Sequence, residues 1–223
     1  AALLTPVQAL VGDLHGLNTL EHQPAKIAAV EAIWKTEKGV PLVLFAIPNE
    51  EKKRNDYAIE VPKLASFVLK HDFDAELQGL DAFGKNTPPV APVFFAFRLM
   101  VGMGVSMLAV SWFGFWMTRG GRAAPRWLLW VFAGFTFSGW IATLAGWIVT
   151  EMGRQPWLVT GVLRTDEAVG HISGAYLGAS LMSYAITYAV MFIAYMVVLT
   201  YLAGKGAGSA EPHPEQGFVR SAA

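Results

Sequence analysis

Three apolar segments of this chain are each long enough to cross a lipid bilayer, and they constrain its fold more than any other feature. A transmembrane helix needs about 20 mostly apolar residues. Residues 90–117 carry a single charge, Arg98, while residues 127–153 stay uncharged as far as Thr150 and residues 173–203 carry no charge. Residues 1–11 are too short to span alone. The pattern predicts an all-α membrane protein with three full transmembrane helices and the end of a fourth.

The composition supports a membrane protein and excludes several kinds of site. Hydrophobic residues make up 54% of the chain and charged residues only 15%, whereas a soluble domain carries about 25% charged residues. The absence of cysteine excludes disulfides, thiolate metal sites and iron–sulfur clusters held by this chain. A formal net charge of zero gives no indication of a nucleic-acid partner.

Polar connections separate the apolar segments. The longest, residues 12–89, contains the charge run NEEKKRND and the apolar stretches VPLVLFAIP and VPKLASFVL, which we expect to form short strands or helices. A loop of this length is more often functional than idle. Residues 118–126 and 154–172 form two shorter connections, and the tail at 204–223 has the composition of a disordered segment.

The start of the chain and the arginines suggest how it is organised. The opening AALLTPVQALVGD has no initiator Met and resembles the tail of an apolar segment, so we expect a chain that lacks its N-terminal part. The loop TRGGRAAPR holds three arginines and no acid, which predicts a cytoplasmic position. The loop at residues 12–89 then lies on the outer face, although Arg154 and Arg164 weaken this count.

The segment GWIVTEMGRQPW places charges where the second apolar segment ends. Trp147, Glu151 and Arg154 are spaced by four and then three residues, so they share one helical face. Gln155 precedes Pro156 and is pushed out of the α region, which predicts the helix end there. Spacing alone leaves two interpretations open: a Glu–Arg pair at the membrane interface, or a site for a cofactor.

The segment FAFRLM contains Arg98 and Met100 near the start of the first long segment. A thioether is one of the few axial ligands available to haem iron, and arginine can bind a haem propionate through two hydrogen bonds. Residues two apart lie on roughly opposite sides of a helix. Both would serve one cofactor only if Arg98 extended along it. Packing is the alternative role for Met100.

The start of the long loop contains a third set of candidate residues. Pro24 fits the first turn of a helix predicted over residues 25–34, on which Lys26 and Glu31 lie about 140° apart, with Asp13 upstream. A quinol needs groups that bind its hydroxyls and a carboxylate that accepts a proton. A solvated amphipathic helix is the alternative.

These stretches, in this order, resemble the C-terminal half of subunit I of the cytochrome bd-type quinol oxidases. The match rests on GD followed by KIAAVEAIW, then FAIPNEEKKRNDYAIEVP, VAPVFFAFRLMVGMG and GWIVTEMGRQPW. The segment HGLNTLEHQPAK and the short connecting loop are similar to the cyanide-insensitive branch of that family.

The resemblance implies roles for the residues of two segments. Met100 would be an axial ligand of the low-spin b haem, and Arg98 a nearby positive charge that favours its reduced form. Glu151 would ligate the iron of the high-spin b haem. Trp147 would lie against the haems, and Arg154 would neutralise a propionate.

The same resemblance implies a quinol site and further components. Residues 12–89 would be the periplasmic Q-loop, in which Lys26 and Glu31 line the quinol site, with Asp13 as an additional candidate. Haem d, or a b-type haem in its place, would bind O2. The axial histidines of the low-spin haem and of haem d, and the acidic residues of the proton path, would lie in the N-terminal half. His171 matches no ligand of the family and is interpreted as a membrane-interface residue.

The predicted function is therefore that of a haem-bearing subunit that oxidises quinol, reduces O2 to water and generates a proton gradient. The chain would work in the bacterial inner membrane with its N-terminal half and a second membrane subunit, and would be inactive alone. The alternative is a non-enzymatic multi-pass transporter or assembly protein. A transporter predicts a polar or broken helix near the middle of the bilayer.

Overall fold

The computed structural model describes residues 2–170 and 172–205, and it divides into two compact units at residues 169 and 170. The first unit holds a long helix, a small domain formed by residues 24–89, which we call the loop domain, and two membrane-length helical spans. Its helices are α1 Leu4–His22, α2 Pro24–Val30, α3 Leu64–Lys70, α4 Val90–Thr118, α5 Arg126–Gly134 and α6 Ser138–Met152. Its strands are β1 Glu37–Lys38, β2 Leu42–Asn49, β3 Arg54–Val61, β4 Glu76–Leu77, β5 Trp157–Val159 and β6 Leu163–Arg164. The mostly helical fold is confirmed.

Helix α1 is longer than the sequence predicted. It continues past the expected boundary between residues 11 and 12 and ends at His22. Gly12 does not interrupt it, because one glycine weakens a helix without breaking it. The end comes at Gln23, whose backbone leaves the α region (φ −138°, ψ 60°) since Pro24 follows. Asp13 therefore lies on a helix rather than in a loop.

Helix α2 is shorter than predicted and ends at Val30 instead of Trp34. Ala32 adopts a left-handed conformation (φ 52°), which turns the chain after Glu31. Two hydrogen bonds brace this turn: Asn55 Nδ2 donates to the Ala32 carbonyl (3.1 Å), and Trp34 Nε1 donates to Asn55 Oδ1 (2.8 Å). Contacts with β3 thus override the local preference for helix.

The loop domain is built on an antiparallel hairpin. VPLVLFAIP supplies strand β2, which pairs with β3 in a register that sets Phe45 opposite Ile59. VPKLASFVL supplies α3, and β1 pairs with β4. Buried side chains of α2, β2 and α3 form one core with the first turns of α4. The loop domain is therefore packed onto the start of a membrane-length helix.

The second span is interrupted near its middle, which the sequence did not predict. Residues Phe135–Phe137 form a 3₁₀ turn between α5 and α6. Ser138 Oγ donates to the Phe135 carbonyl (2.7 Å), and such bonds from Ser to the preceding turn bend helices. Helix α6 ends at Met152 with Gly153 as its cap, slightly before the end expected at Gln155.

The second unit contains α7, Gly174–Lys205, whose residues are exposed throughout. Among the described residues, three spans have the length and apolar composition to cross a membrane, as predicted: α4, residues 126–152 and α7. His171 and residues 206–223 lie outside the described part of the chain, so the interpretations of His171 and of the tail stay predictions.

Candidate functional site

Met100 lies on the face of α4 that packs against α6. A Cβ built on Gly146 would stand 3.0 Å from the Met100 sulfur, so the absence of a side chain at Gly146 makes room for the thioether. Trp147 follows directly and is exposed. The predicted haem ligand and the predicted haem-contacting tryptophan are thus brought to the same pair of helices.

Arg98 points away from Gly146, into the loop domain. Its Nη2 donates to Glu31 Oε2 at 3.0 Å, and its Nε donates to the carbonyl of Val43 at 3.0 Å. A further hydrogen bond reaches the carbonyl of Val30, and the guanidinium carbon lies 3.5 Å from the centroid of the Phe94 ring. The single arginine of α4 therefore fastens α2 and β2 to this helix.

Glu31 is buried, with 8% of its side chain exposed, against 17% for Arg98. Burial raises the pKa of the Glu31 carboxyl, and the positive charge and hydrogen bond of Arg98 oppose this rise. The two partners are 67 residues apart in sequence. One ion pair thus joins a residue predicted for the quinol site with a residue predicted for the low-spin haem.

Glu151 and Arg154 form an ion pair at the end of α6. The distance from Arg154 Nη2 to Glu151 Oε2 is 2.5 Å, and 47% and 35% of the two side chains are exposed. Four residues form one stripe on α6, because they follow one another at intervals of four, three and four residues: the exposed Trp140 and Leu144, then Trp147 and Glu151. A broad apolar surface therefore leads up to an accessible carboxylate.

Lys26 packs on the loop that follows α6. A Cβ at Gly153 would stand 3.0 Å from Lys26 Cγ and 3.1 Å from its Cε. Burial lowers the pKa of the Lys26 amine, the charge of Arg154 lowers it further, and Glu151 opposes both. Lys26 thus belongs to the Glu151–Arg154 cluster and not to Glu31. Lys26 and Glu31 lie about 140° apart on the predicted helix, and this separation indicated that the two side chains face different surroundings.

A cavity of about 410 Å³ opens beside this cluster. Its size is in the range that holds small ligands. It is lined by residues from the α1–α2 junction, the segment before α4 and the connection after α6: His22, Gln23, Pro24, Ala25, Lys26, Ala82, Phe83, Asn86, Pro88, Gly153, Arg154, Gln155, Trp157, Thr160 and Gly161. Glu31 and Asp13 are not among these lining residues. The cavity therefore combines Lys26 and Arg154 with amide and aromatic groups.

The chemistry of two side chains fits haem. Met100 could supply a thioether ligand and Glu151 a carboxylate ligand, whose negative charge iron would compensate. Arg154 offers a guanidinium suited to a propionate. Within residues 2–170 and 172–205, no three His, Asp or Glu side chains form a metal-binding group.

Comparison with known proteins gives consistent matches. The family model for cytochrome bd terminal oxidase subunit I matches residues 1–207. The chain is 31% identical over 206 residues to cytochrome bd ubiquinol oxidase subunit 1 of Bacillus subtilis, covering 86% of this chain and 43% of the relative. It is 26% identical over 278 residues to cytochrome bd-II ubiquinol oxidase subunit 1 of Escherichia coli, covering 93% and 54%.

A solved structure shows the same fold. The bd oxidase from Geobacillus thermodenitrificans matches with a TM-score of 0.80 and 30% sequence identity, covering 93% of this chain and 48% of that chain. The chain thus spans about half the length of the relatives that it matches.

Proposed function

The chain belongs to the cytochrome bd terminal oxidase subunit I family, and from this membership we propose that it is part of a membrane quinol oxidase that reduces O2 to water. Members of the family are quinol oxidases of respiratory electron transport that use haem. The observation that carries the proposal is the cluster of Lys26, Glu151 and Arg154 beside the cavity, because it unites a quinol-site candidate with two haem-site candidates.

Two side chains are proposed as iron ligands. Met100 would hold a low-spin b haem, and Glu151 would hold a high-spin b haem. Bound haem supplies iron that accepts and donates single electrons. Trp147 would offer its ring face to the macrocycle, and Arg154 would neutralise a propionate through charge-assisted hydrogen bonds. Gly146 keeps the space in which the thioether of Met100 is oriented.

The quinol is proposed to bind in the cavity beside Lys26. The lowered pKa of Lys26 reflects a half-buried amine, which can donate a hydrogen bond to a quinol oxygen. Each quinol oxidised releases two protons and two electrons, so two quinols supply the four electrons that convert O2 and four protons into two waters. Release outside and uptake from the cytoplasm would generate a proton gradient. Asp13 and Glu31 stay predictions for this site.

Other components of the enzyme are proposals based on family membership. Haem d, or a b-type haem in its place, would bind O2. A second membrane subunit and the part of subunit I that this chain does not span would complete the enzyme. The location is proposed as the bacterial inner membrane, with the loop of residues 12–89 on the periplasmic side.

The alternative function is a transporter or assembly protein, and a transporter predicts a polar or broken helix within the bilayer. The 3₁₀ turn at Phe135–Phe137 is such a break. However, residues 135–137 contain no ionisable side chain, and membership of the oxidase family favours the enzyme.

Oxygen uptake tests this proposal. The complex that contains this chain is purified from membranes and supplied with a reduced quinol in an oxygen electrode. We expect quinol-dependent O2 uptake that Glu151→Gln abolishes, and a raised KM for quinol in Lys26→Met. Lys52→Met, in the exposed turn of the hairpin, is the matched control and should keep wild-type kinetics. A haem-containing complex without quinol-dependent uptake would contradict the proposal.

A further inference from the structure

The connection between α4 and α5 carries positive charges that no neighbouring acid neutralises. Arg119 and Arg122 lie in this connection, and Arg126 is the first residue of α5. No Asp or Glu occurs anywhere in residues 82–150. Among the described residues, none of these three arginines forms an ion pair. Their charges are therefore available to an anion from outside the chain.

A cavity of about 600 Å³ lies beside two of these arginines. Its lining residues come from the end of α4 and the connection that follows it: Trp116, Met117, Arg119, Arg122, Ala123 and Pro125. The volume is within the range of small-ligand sites. The cavity therefore joins an apolar wall, formed by Trp116 and Met117, to a basic wall formed by Arg119 and Arg122. We call it the loop cavity.

Close packing between α4 and α5 fixes the apolar wall of the loop cavity. A Cβ added at Gly114 would collide with the Phe132 ring, so the two helices approach each other closely at this point. The centroid of the Phe113 ring lies 5.8 Å from that of Trp127 and 6.1 Å from that of Trp116. Trp116 is thus held at the helix end by an aromatic cluster that spans both helices.

Two consecutive glycines shape the basic wall. Gly120 (φ 79°) and Gly121 (φ 76°) both adopt the left-handed backbone that residues with a side chain rarely adopt. The chain therefore turns sharply between Arg119 and Arg122, and both arginines line the same cavity. Two guanidinium groups on one cavity suit a phosphate, because each can donate two parallel hydrogen bonds to its oxygens.

The position of the loop cavity distinguishes a lipid phosphate from a soluble one. Helix α4 has the length and composition of a membrane span and ends at Thr118, so the cavity lies where lipid headgroups meet water. Tryptophan is enriched at this depth, because its ring is apolar and its N–H is polar. A soluble anion would use only the arginines, whereas a phospholipid would also cover the apolar wall. Basic pockets between transmembrane helices are typical sites for anionic headgroups.

We propose that the loop cavity binds an anionic phospholipid. Arg119 and Arg122 contact its phosphate, and Trp116 and Met117 lie against its glycerol and the first carbons of its acyl chains. The inference goes beyond the proposed function and does not depend on it, since it requires only that α4 and α5 lie in a membrane.

The experiment counts lipids bound to the purified complex. The complex is exchanged into detergent, titrated with dioleoylphosphatidylglycerol and measured by native mass spectrometry, and the intact mass in the same spectrum reports the assembly of each variant. Arg119→Gln and Arg122→Gln should each weaken the binding of one phosphatidylglycerol about five-fold, the effect typical of one basic residue at an anionic membrane surface. Arg126→Gln is the matched control: it removes the same charge from the same region but does not line the cavity, so it should keep wild-type affinity.

Two further titrations identify the source of the phosphate. Dioleoylphosphatidylcholine has the same acyl chains and phosphate but no net charge, so it should bind several-fold more weakly. Inorganic phosphate at the same concentration should not displace phosphatidylglycerol. Displacement by inorganic phosphate, or equal binding of phosphatidylcholine, would overturn the assignment of an anionic lipid. Unchanged binding in both cavity variants, or an equal loss in Arg126→Gln, would overturn the site itself.

Discussion

Gly146 allows the role of Met100 to be tested without changing Met100 itself. Helix α6 passes close to α4 at this glycine, and an added Cβ would stand 3.0 Å from the Met100 sulfur. The substitution Gly146→Ala therefore places a methyl group against the proposed ligand atom while retaining its chemistry. We expect the low-spin b haem to be perturbed in this variant.

The size of the perturbation follows from this distance. Nonpolar heavy atoms at optimal separation lie about 3.5–4.0 Å apart, so the Met100 sulfur must move by a few tenths of an ångström. Overpacking costs typically about 1–3 kcal/mol, and the flexible methionine places this case at the lower end. Replacing glycine by alanine in a helix stabilises the helix by up to about 1 kcal/mol. The stability of the complex will therefore change little, whereas the geometry at the sulfur will change.

Optical spectroscopy of the purified complex measures this change. The reduced-minus-oxidised spectrum of Gly146→Ala should show a shifted or weakened band of the low-spin b haem, with an altered midpoint potential. Met100→Leu should remove the thioether and perturb the same band more strongly. The high-spin b band should be retained in both variants, because Glu151 is unchanged.

Gly139→Ala is the matched control. Gly139 lies on the same helix, and a Cβ there would meet nothing within 4 Å. This variant should keep the wild-type spectrum and gain up to about 1 kcal/mol from helix propensity. If Gly146→Ala also kept the wild-type spectrum and potential, the assignment of Met100 as a ligand would be refuted.

Two further predictions concern the outer loop and its cavity. The charge of Arg154 lowers the pKa of Lys26, so Arg154→Gln should raise that pKa. The pH midpoint of Lys26 acetylation, followed by mass spectrometry, should therefore move upward. A downward or absent shift would contradict the cluster of Lys26, Glu151 and Arg154. Gly79→Ala would place a Cβ 2.7 Å from the Lys35 Cα and should destabilise the loop domain by roughly 1–3 kcal/mol. Limited proteolysis should be faster in this variant. The control Gly16→Ala, which has open space around it, should not be destabilised.

The sequence predicts the membrane-length segments well because length and hydropathy are local properties. Residues 90–117 and 173–203 were expected as spans and correspond to α4 and α7. The sequence pattern indicates a boundary at Gly12, whereas α1 continues to His22, because one glycine does not break a helix and Pro24 forces Gln23 out of the α region. The break at Phe135–Phe137 is not visible in the apolar pattern, because the hydroxyl of Ser138 competes for a backbone carbonyl without interrupting that pattern.

The arrangement of the candidate site depends on long-range contacts that the sequence does not display. Spacing identified the face shared by Glu151 and Arg154, and these two side chains do form an ion pair. The pairing of Glu31 with Arg98 depends on the turn at Ala32 and on the packing of β2 against α4. Local patterns therefore identified the side chains, but the fold of the loop decides which of them meet.

We propose Glu151 as the iron ligand of a high-spin b haem at the end of α6, and a reduced-minus-oxidised spectrum of the Glu151→Gln complex tests this role. We expect loss of the high-spin b signal with the low-spin b signal retained, and a wild-type spectrum for the exposed control Glu60→Gln. A Glu151→Gln complex that keeps the full high-spin b signal would contradict it.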